Sequence, residues 1–445
     1  MVSILGYTKN DLNDLALRTI DLAKSNGASD VELDLSVSSG KTIAVRLSQF
    51  ESIEANNDKN LSITFYQHQK RAIVSTSDFS LDAIKNCIES AKQIANYTQE
   101  DEAFGLADRN LMATETFNLD LHHPFDFDDQ YVTNYALECE KAALDSSPLI
   151  TNSEGSQFYQ SQSIFCYANS HGFLGGFPSS RVSLNCSVIA KKNSEMQRDS
   201  SYSSKRCFDD LKNHIEIGKD AGLRAIQRLG PRKIKTGHYP VIFEAPVAAQ
   251  LISTLVSAIS GGNLYRQNSF LLDSVGKQIA SSHLSIYEDP FMKRGNASTY
   301  FDDDGVKVTP RYVINQGRLE GYFLSTYTGR KLGLSSTGNA GGAHNLIVSN
   351  SNIGFNELVK TMHHGLVITE ILGHGTNMVT GDYSRGVAGF WVDHGEIQHA
   401  VEEITIAGNL KDMLMGIQMI ANDCDGNSSK YVGSILINEM TIGAT

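Results

Sequence analysis

Gly381-Asp382-Tyr383-Ser384-Arg385-Gly386, continued by Gly389-Phe390-Trp391 and Val392-Asp393-His394-Gly395-Glu396-Ile397, is the stretch whose reading decides the fold. Its glycines permit positive φ and close backbone approach. Asp and Ser satisfy turns, and Phe390 with Trp391, the only tryptophan, offers a large apolar anchor. The run predicts a shaped loop, then a strand, a tight turn at His394-Gly395 and a return strand that continues through Glu402-Glu403-Ile404-Thr405-Ile406. The C-terminal region is therefore expected to be β-rich.

The chain has 445 residues, more than one core accommodates, so two or three domains are expected. Acidic residues outnumber basic ones by 50 to 38, a net charge of −12. A protein that wraps nucleic acid needs a basic face to displace counterions. The densest basic run, Arg232-Lys233-Ile234-Lys235, is short and follows a proline, so it reads as a solvated linker and no nucleic-acid partner is expected. The six cysteines form no C-x-x-C pair, and most lie in apolar periodic segments as small buried hydrophobes. No export signal and no membrane-length apolar run is read, so the expectation is a cytoplasmic protein with no membrane partner.

Apolar spacing predicts a helix over 8–26 and another after a Ser80 cap, with strands at Val31–Val37, Thr42–Arg46, Leu61–Tyr66 and Arg71–Ser75 between them. A helix through Val132, Ala136, Cys139 and Ala143 leads into strands at Ser163–Ala168 and Val182–Ala190, then a helix from Ile215 to Leu229. Gly230-Pro231 marks a boundary. Beyond it come a strand at Tyr239–Phe243, a helix from about Val247 to Ile259, and mostly strands. The expected class is α+β: an N-terminal α+β domain over 1–110, a mixed middle domain over 111–230, and a β-rich C-terminal domain over 231–445 with a helix near its start. No exact internal repeat is visible.

A catalytic zinc needs two or three N/O/S ligands and a nearby base, and His-Glu-x-x-His is absent. The nearest candidates are His363, His364, Glu370 and His374, but Gly365–Thr369 reads as a strand and glycines flank His374, so a strand ending in a polar loop is the better reading. Asp302-Asp303-Asp304-Gly305 lacks the spaced ligands of a calcium loop and reads as a hairpin turn carrying solvated charge. Gly338-Asn339-Ala340-Gly341-Gly342 lacks a Walker lysine and reads as a loop admitting close backbone approach. Cys424 has acidic neighbours, which raise a thiol pKa and disfavour a nucleophile.

As a string of residues, the 381–410 stretch resembles the TldD/PmbA family, and within it the PmbA branch, also called TldE. Glu244-Ala245-Pro246-Val247-Ala248-Ala249 with Ser260-Gly261-Gly262-Asn263-Leu264-Tyr265-Arg266, and Gly329-Arg330-Lys331-Leu332-Gly333 with Thr337–Gly342, carry the same resemblance. It covers most of 230–445, and 1–230 more loosely. The family is a two-subunit metalloprotease in which the TldD branch binds zinc through His-Glu-x-x-x-His and a later cysteine. Ungapped placement puts that motif at Ser253–Ala258 here, where both histidines and the glutamate are missing. Cys424 falls near the position of the cysteine, but one ligand cannot hold a catalytic zinc.

The resemblance thus implies no catalytic residue and no metal in this chain, and zinc in a TldD-type partner subunit. It implies proteolysis of small or unfolded peptides, including precursor maturation and antitoxin degradation. Gly341, Gly342, Asp382, Tyr383, Arg385 and Trp391 are the residues expected to touch an extended peptide or the partner. A peptide-binding or scaffold homodimer without proteolytic role is the alternative reading.

Overall fold

The structure is a computed structural model that describes residues 2–444. Thr8 opens the chain's first long helix, Lys9–Ser25, with a capping box to Asp11. Ser80 caps Leu81–Tyr97 by accepting from the Ala83 amide. Between them the strands Asp30–Arg46, Gln49–Gln67 and Lys70–Thr76 form an antiparallel meander. The two short strands expected at 31–37 and 42–46 are one. Alternating Val31, Leu33, Leu35 and Val37 face the two helices, and the ladder runs on through the polar residues 38–42.

The same plan then recurs: helix Asp129–Leu144, strands Ile150–Asn169, Leu174–Lys192 and Glu195–Lys205, and helix His214–Gln227. The two meanders join through Asp30–Arg46 and Ile150–Asn169, antiparallel from Glu32↔Asn169 to Val45↔Ser156. The result is one six-stranded sheet whose order is symmetric about that central pair. Segments 1–110 and 111–230 thus contribute three strands each to a shared sheet. All four helices cover one face. Leu12, Ile20, Ile84 and Ile88 bury one end of it, and Val132, Ala136, Ile217 and Ala221 bury the other.

After Gly230 the chain builds a second body. Glu396–Asn409 pairs with both Asp382–Asp393 and Ile435–Ala444, while Gly365–Leu372 and Gly237–Phe243 complete the circuit, so the five strands close into a ring. Closure removes free edges from the centre of this unit. Helix Ala245–Ala258 starts with proline in its first turn and buries Val247, Leu251, Ile252 and Leu255 in the largest apolar core. A smaller sheet runs Arg318–Leu319, Arg311–Asn315, Ile286–Asp289, Asn345–Val348, Lys430–Tyr431. The second body meets the helix-free face of the six-stranded sheet, where Phe165, Tyr167 and Phe173 pack with Tyr300, Phe301 and Val306.

The opening stretch departs from expectation in one respect. Asp382–Arg385 is not a loop but the start of strand Asp382–Asp393, laddered from Asp382↔Asn409 to Asp393↔Glu396. The expected tight turn is present: His394 and Gly395 have φ of 53° and 75°. Two positive values in a two-residue connection are the mark of a type I′ hairpin, whose twist matches the strands.

Candidate functional site

The sequence-predicted contact residues fall in three places. Asp382 is exposed and accepts hydrogen bonds from Thr380 Oγ1 (2.7 Å) and Asn409 Nδ2 (3.1 Å), which hold its carboxyl below the usual range. Tyr383 is buried at 4% exposure, and burial pushes its hydroxyl up to about 12. The Arg385 guanidinium lies 5.7 Å from the Tyr383 ring and donates to the Gly373 carbonyl and to Thr376 Oγ1. Trp391 sits six residues further along the same strand, about 20 Å away. The strand therefore does not bring Arg385 and Trp391 into one pocket. Gly341 and Gly342 lie elsewhere, on an exposed loop with φ of +87° and +120°. A Cβ on Gly341 would stand 2.2 Å from an Asp303 carboxylate oxygen, so only glycine lets this loop lie against the acidic turn.

Trp391 is half-buried, edge-on to Tyr239 (5.0 Å) and to His364 (4.8 Å). Trp391→Ala is expected to cost about 2 kcal/mol, below the figure for a fully buried indole. Thermal melting checks this. An unchanged midpoint would remove the packing role.

The four metal candidates do not converge. His364 Nδ1 is 3.1 Å from Asp393 Oδ1. Glu370 is committed to an ion pair with Arg228, and His374 is exposed. His363 packs beside His394 with ring centroids 5.6 Å apart. Among the described residues no group of three or more His, Cys, Asp or Glu is placed to hold a metal. The expected strand over Gly365–Thr369 is present as Gly365–Leu372, and it spaces the four apart.

The helix position where the resemblance puts the zinc motif has its own chemistry. Ser253, Thr254 and Ser257 donate their hydroxyls to the carbonyls of Ala249, Gln250 and Ser253, one turn back. Ala258 is fully buried and has no donor. These residues do not fit a zinc ion, which takes thiolate, imidazole or carboxylate. Cys424 lies in an exposed loop, and packing about its sulfur together with Asp425 pushes its thiol up.

Two polar clusters escaped sequence reasoning. Asp302–Gly305 is a turn, closed by Gly305 N–H to the Asp302 carbonyl (2.8 Å); Asp303 is exposed as expected, but the Asp302 carboxylate is not solvated. Asp302 is 3% exposed because its carboxylate accepts from the amides of Asp304, Val306 and Ala340. Burial, with Asp304 adding, raises Asp302 to about 8. Burial likewise raises Asp34, to about 7, with Glu32, Asp303 and Asp304 adding. The acids thus face each other across the junction of the two bodies.

Beside them Glu288, 1% exposed, accepts from Asn339 Nδ2 (2.7 Å), the His344 amide (2.9 Å), His344 Nδ1 (2.8 Å) and Arg311 Nε (2.9 Å). Burial opposes its charge, but His344 and Arg311 outweigh that and hold its carboxyl below the usual range. Spacing could not reveal this cluster, since 288 and 311 lie on separate strands and 339 and 344 on a loop about fifty residues from Glu288.

Comparison with known proteins decides the family. Family models described as the PmbA/TldA metallopeptidase C-terminal domain, central domain and domain 1 match residues 236–444, 122–229 and 31–95. The chain belongs to the PmbA/TldD metallopeptidase family. It is 43% identical over 441 residues to the metalloprotease PmbA homolog of Haemophilus influenzae, covering 99% of this chain and 98% of that one. Two solved structures share the fold. A Bacteroides thetaiotaomicron candidate modulator of DNA gyrase has a TM-score of 0.90 at 24% identity, covering 98% of this chain and 100% of that one. TldE from Thermococcus kodakarensis has a TM-score of 0.82 at 19% identity, covering 96% and 100%. The chain is thus a PmbA-type member of a metallopeptidase family with a mixed helix and sheet fold. No described helix is long and apolar enough to cross a membrane.

Proposed function

We propose that this chain is the noncatalytic subunit of a cytoplasmic, two-subunit zinc metalloprotease, pairing with a TldD-type subunit and holding extended peptides for cleavage. The observation that carries the reading is the helix Ala245–Ala258. It keeps its place beside the core, but its 253–258 turn offers hydroxyls that its own carbonyls already engage. The zinc and the general base then belong to the partner.

A peptide-holding role has a physical basis in the edge strand Glu195–Lys205, which among the described residues pairs only with Leu174–Lys192. Arg198 to Ser203 of this strand line a cleft of about 1290 Å³, the rest of whose wall includes Arg224, Glu244 and Asn427. The Asn427 side chain already pairs with the strand at the Ser204 amide and Tyr202 carbonyl. It marks how an extended chain would continue the sheet, with backbone bonds giving affinity at little sequence cost.

The test is reconstitution. The metal-free-purified chain alone should hold no stoichiometric zinc by elemental analysis and leave unfolded peptides intact. Mixed with a zinc-bearing homologue carrying His-Glu-x-x-x-His, it should copurify and raise chelator-sensitive hydrolysis. Chelator-sensitive cleavage by this chain alone would overturn the reading, and failure to associate would favour a homodimeric scaffold.

A further inference from the structure

Most guanidinium groups around the junction of the two bodies are matched with carboxylates. Arg224 and Arg228 pair with Asp199, Glu244 and Glu370, Arg294 with Asp120 and Asp210, and Arg311 with Glu288. In a chain of net charge −12, such pairing is the easy outcome. Arg181 and Arg206 depart from it. Both are half-buried, and among the described residues neither has a carboxylate within ion-pair distance.

The fold places them side by side. Along Leu174–Lys192 the even positions Val182, Leu184 and Cys186 face the helices, so Arg181 projects from the opposite face with Ser183. The ladder there ends at Val182↔Lys205, which sets Arg206 next to Arg181. Arg181 donates through Nη1 to Ser204 Oγ (3.0 Å) and makes no other hydrogen bond among the described residues. Arg206 donates through Nη1 to the Ser180 carbonyl (3.2 Å) and through Nη2 to the Asn296 carbonyl (2.9 Å), and its buried Nε has no partner.

Burial, with Arg181 next to it, pushes Arg206 down to about 10, and only Tyr431 opposes this. Burial also lowers Arg181, against Tyr159 and Tyr431. Neighbouring Lys205 spends its ammonium on the carbonyls of Asp425 and Gly426, and brings more positive charge. Desolvated like charges without a counter-ion are costly. A carboxylate is the ligand that relieves the cost, because a guanidinium fork meets its two oxygens in parallel.

We propose that Arg181 and Arg206 form a carboxylate-binding site that anchors an extended peptide at the junction of the two bodies, next to Lys205 where the cleft along Glu195–Lys205 ends. The proposal rests on the peptide-holding reading above and adds to it a polarity: the bound peptide is fixed by its C-terminal carboxylate or by an acidic side chain. Arg181 supplies the free donors. Arg206, tied to Ser180 and Asn296 from opposite sides, is held in place and supplies fixed charge.

The experiment uses the full chain and a fluorescent, unstructured peptide carrying one glutamate and a free C-terminus. Three companions have a C-terminal amide, a glutamine in place of the glutamate, or both. Binding is read by anisotropy for the natural chain, Arg181→Gln and Arg181→Lys, with thermal melting to confirm that each variant folds. Removing the recognised carboxylate should weaken binding about tenfold or more, and the single-change companions tell which carboxylate it is. Arg181→Gln should bind all four peptides as weakly as the natural chain binds the fully neutral one. Arg181→Lys should fall between. Equal binding of all four peptides by the natural chain, or a loss in Arg181→Gln that does not depend on the peptide's carboxylates, would overturn the site and leave the peptide-holding reading intact. Binding of none of the peptides would overturn both.

Discussion

Glu288→Gln destabilises the C-terminal body by about 3–5 kcal/mol, the range for breaking a buried charge pair by changing one partner. Four donors converge on this carboxylate, and it is 1% exposed. A glutamine has one acceptor oxygen. Whichever way its amide turns, its NH₂ confronts either Arg311 Nε or the His344 and Asn339 donors, so at least one buried donor is left unsatisfied. The loss spreads further, because Arg311 also donates to the Tyr322 carbonyl (2.9 Å) and Asn339 Oδ1 (3.0 Å). Those bonds hold the glycine loop 338–342 in register. Thermal or denaturant melting of the variant should show the loss directly, and a midpoint within a degree of the parent would refute it. Because Glu288 is held below the ordinary carboxylate range, its contribution is present above that range and is lost as pH falls through the depressed value.

Asp34→Asn is the prediction of opposite sign. Burial, then Glu32, Asp303 and Asp304, displace the Asp34 carboxyl from 3.8 to about 7. The folded chain therefore binds more protons here than the unfolded chain between those values. Stability must fall as pH rises across that window and level off above it. The displacement corresponds to a penalty of roughly 4 kcal/mol at alkaline pH. The groups that face this cluster are Glu32 from the same strand, Asp303 and Asp304 from the turn, Arg71 from the strand Lys70–Thr76 two places along the sheet, and His344 beyond Asp303. The one guanidinium acts chiefly on Glu32 and does not balance the acids.

Asparagine is nearly isosteric and carries no charge to desolvate. Asp34→Asn should therefore raise the melting midpoint most at pH 8 and 9, less at pH 5, and flatten the fall between. A melting series over that range decides it. A variant that is less stable than the parent at pH 9 would show that the Asp34 charge is compensated.

Much of the fold is legible in the chain. The Ser80 cap, the helical stripes of Leu12–Ala23 and Ile84–Ala95, and the hairpin at His394-Gly395 follow from local chemistry, and each appears where the spacing puts it. The strand over Leu61–Tyr66 also shows, because Leu61, Ile63 and Phe65 alternate with polar or amphipathic residues and are fully buried. Its first half, Gln49–Asn60, does not show, since it is exposed on both sides and pairs by backbone alone. Glu195–Lys205 escaped for a similar reason. It is a polar edge strand whose side chains carry almost no alternation of hydrophobicity.

Local composition alone settles that the 253–258 turn lacks zinc ligands, because donor chemistry belongs to residue identity. Tertiary structure alone decides what charge means here. Asp302 reads as a solvated turn residue until loop 338–342 closes over it, Glu288 as an ordinary strand glutamate until two distant segments aim donors at it, and Arg181 and Arg206 as unrelated cations until a strand ladder sets them together. The mirrored arrangement of the six strands belongs to the same class. Two segments without recognisable sequence repeat fold alike because each must bury one sheet face under two helices, and their free central strands then pair with each other. A side chain's own sequence neighbours set its propensity, but its solvation and its partners are set by segments tens to hundreds of residues away.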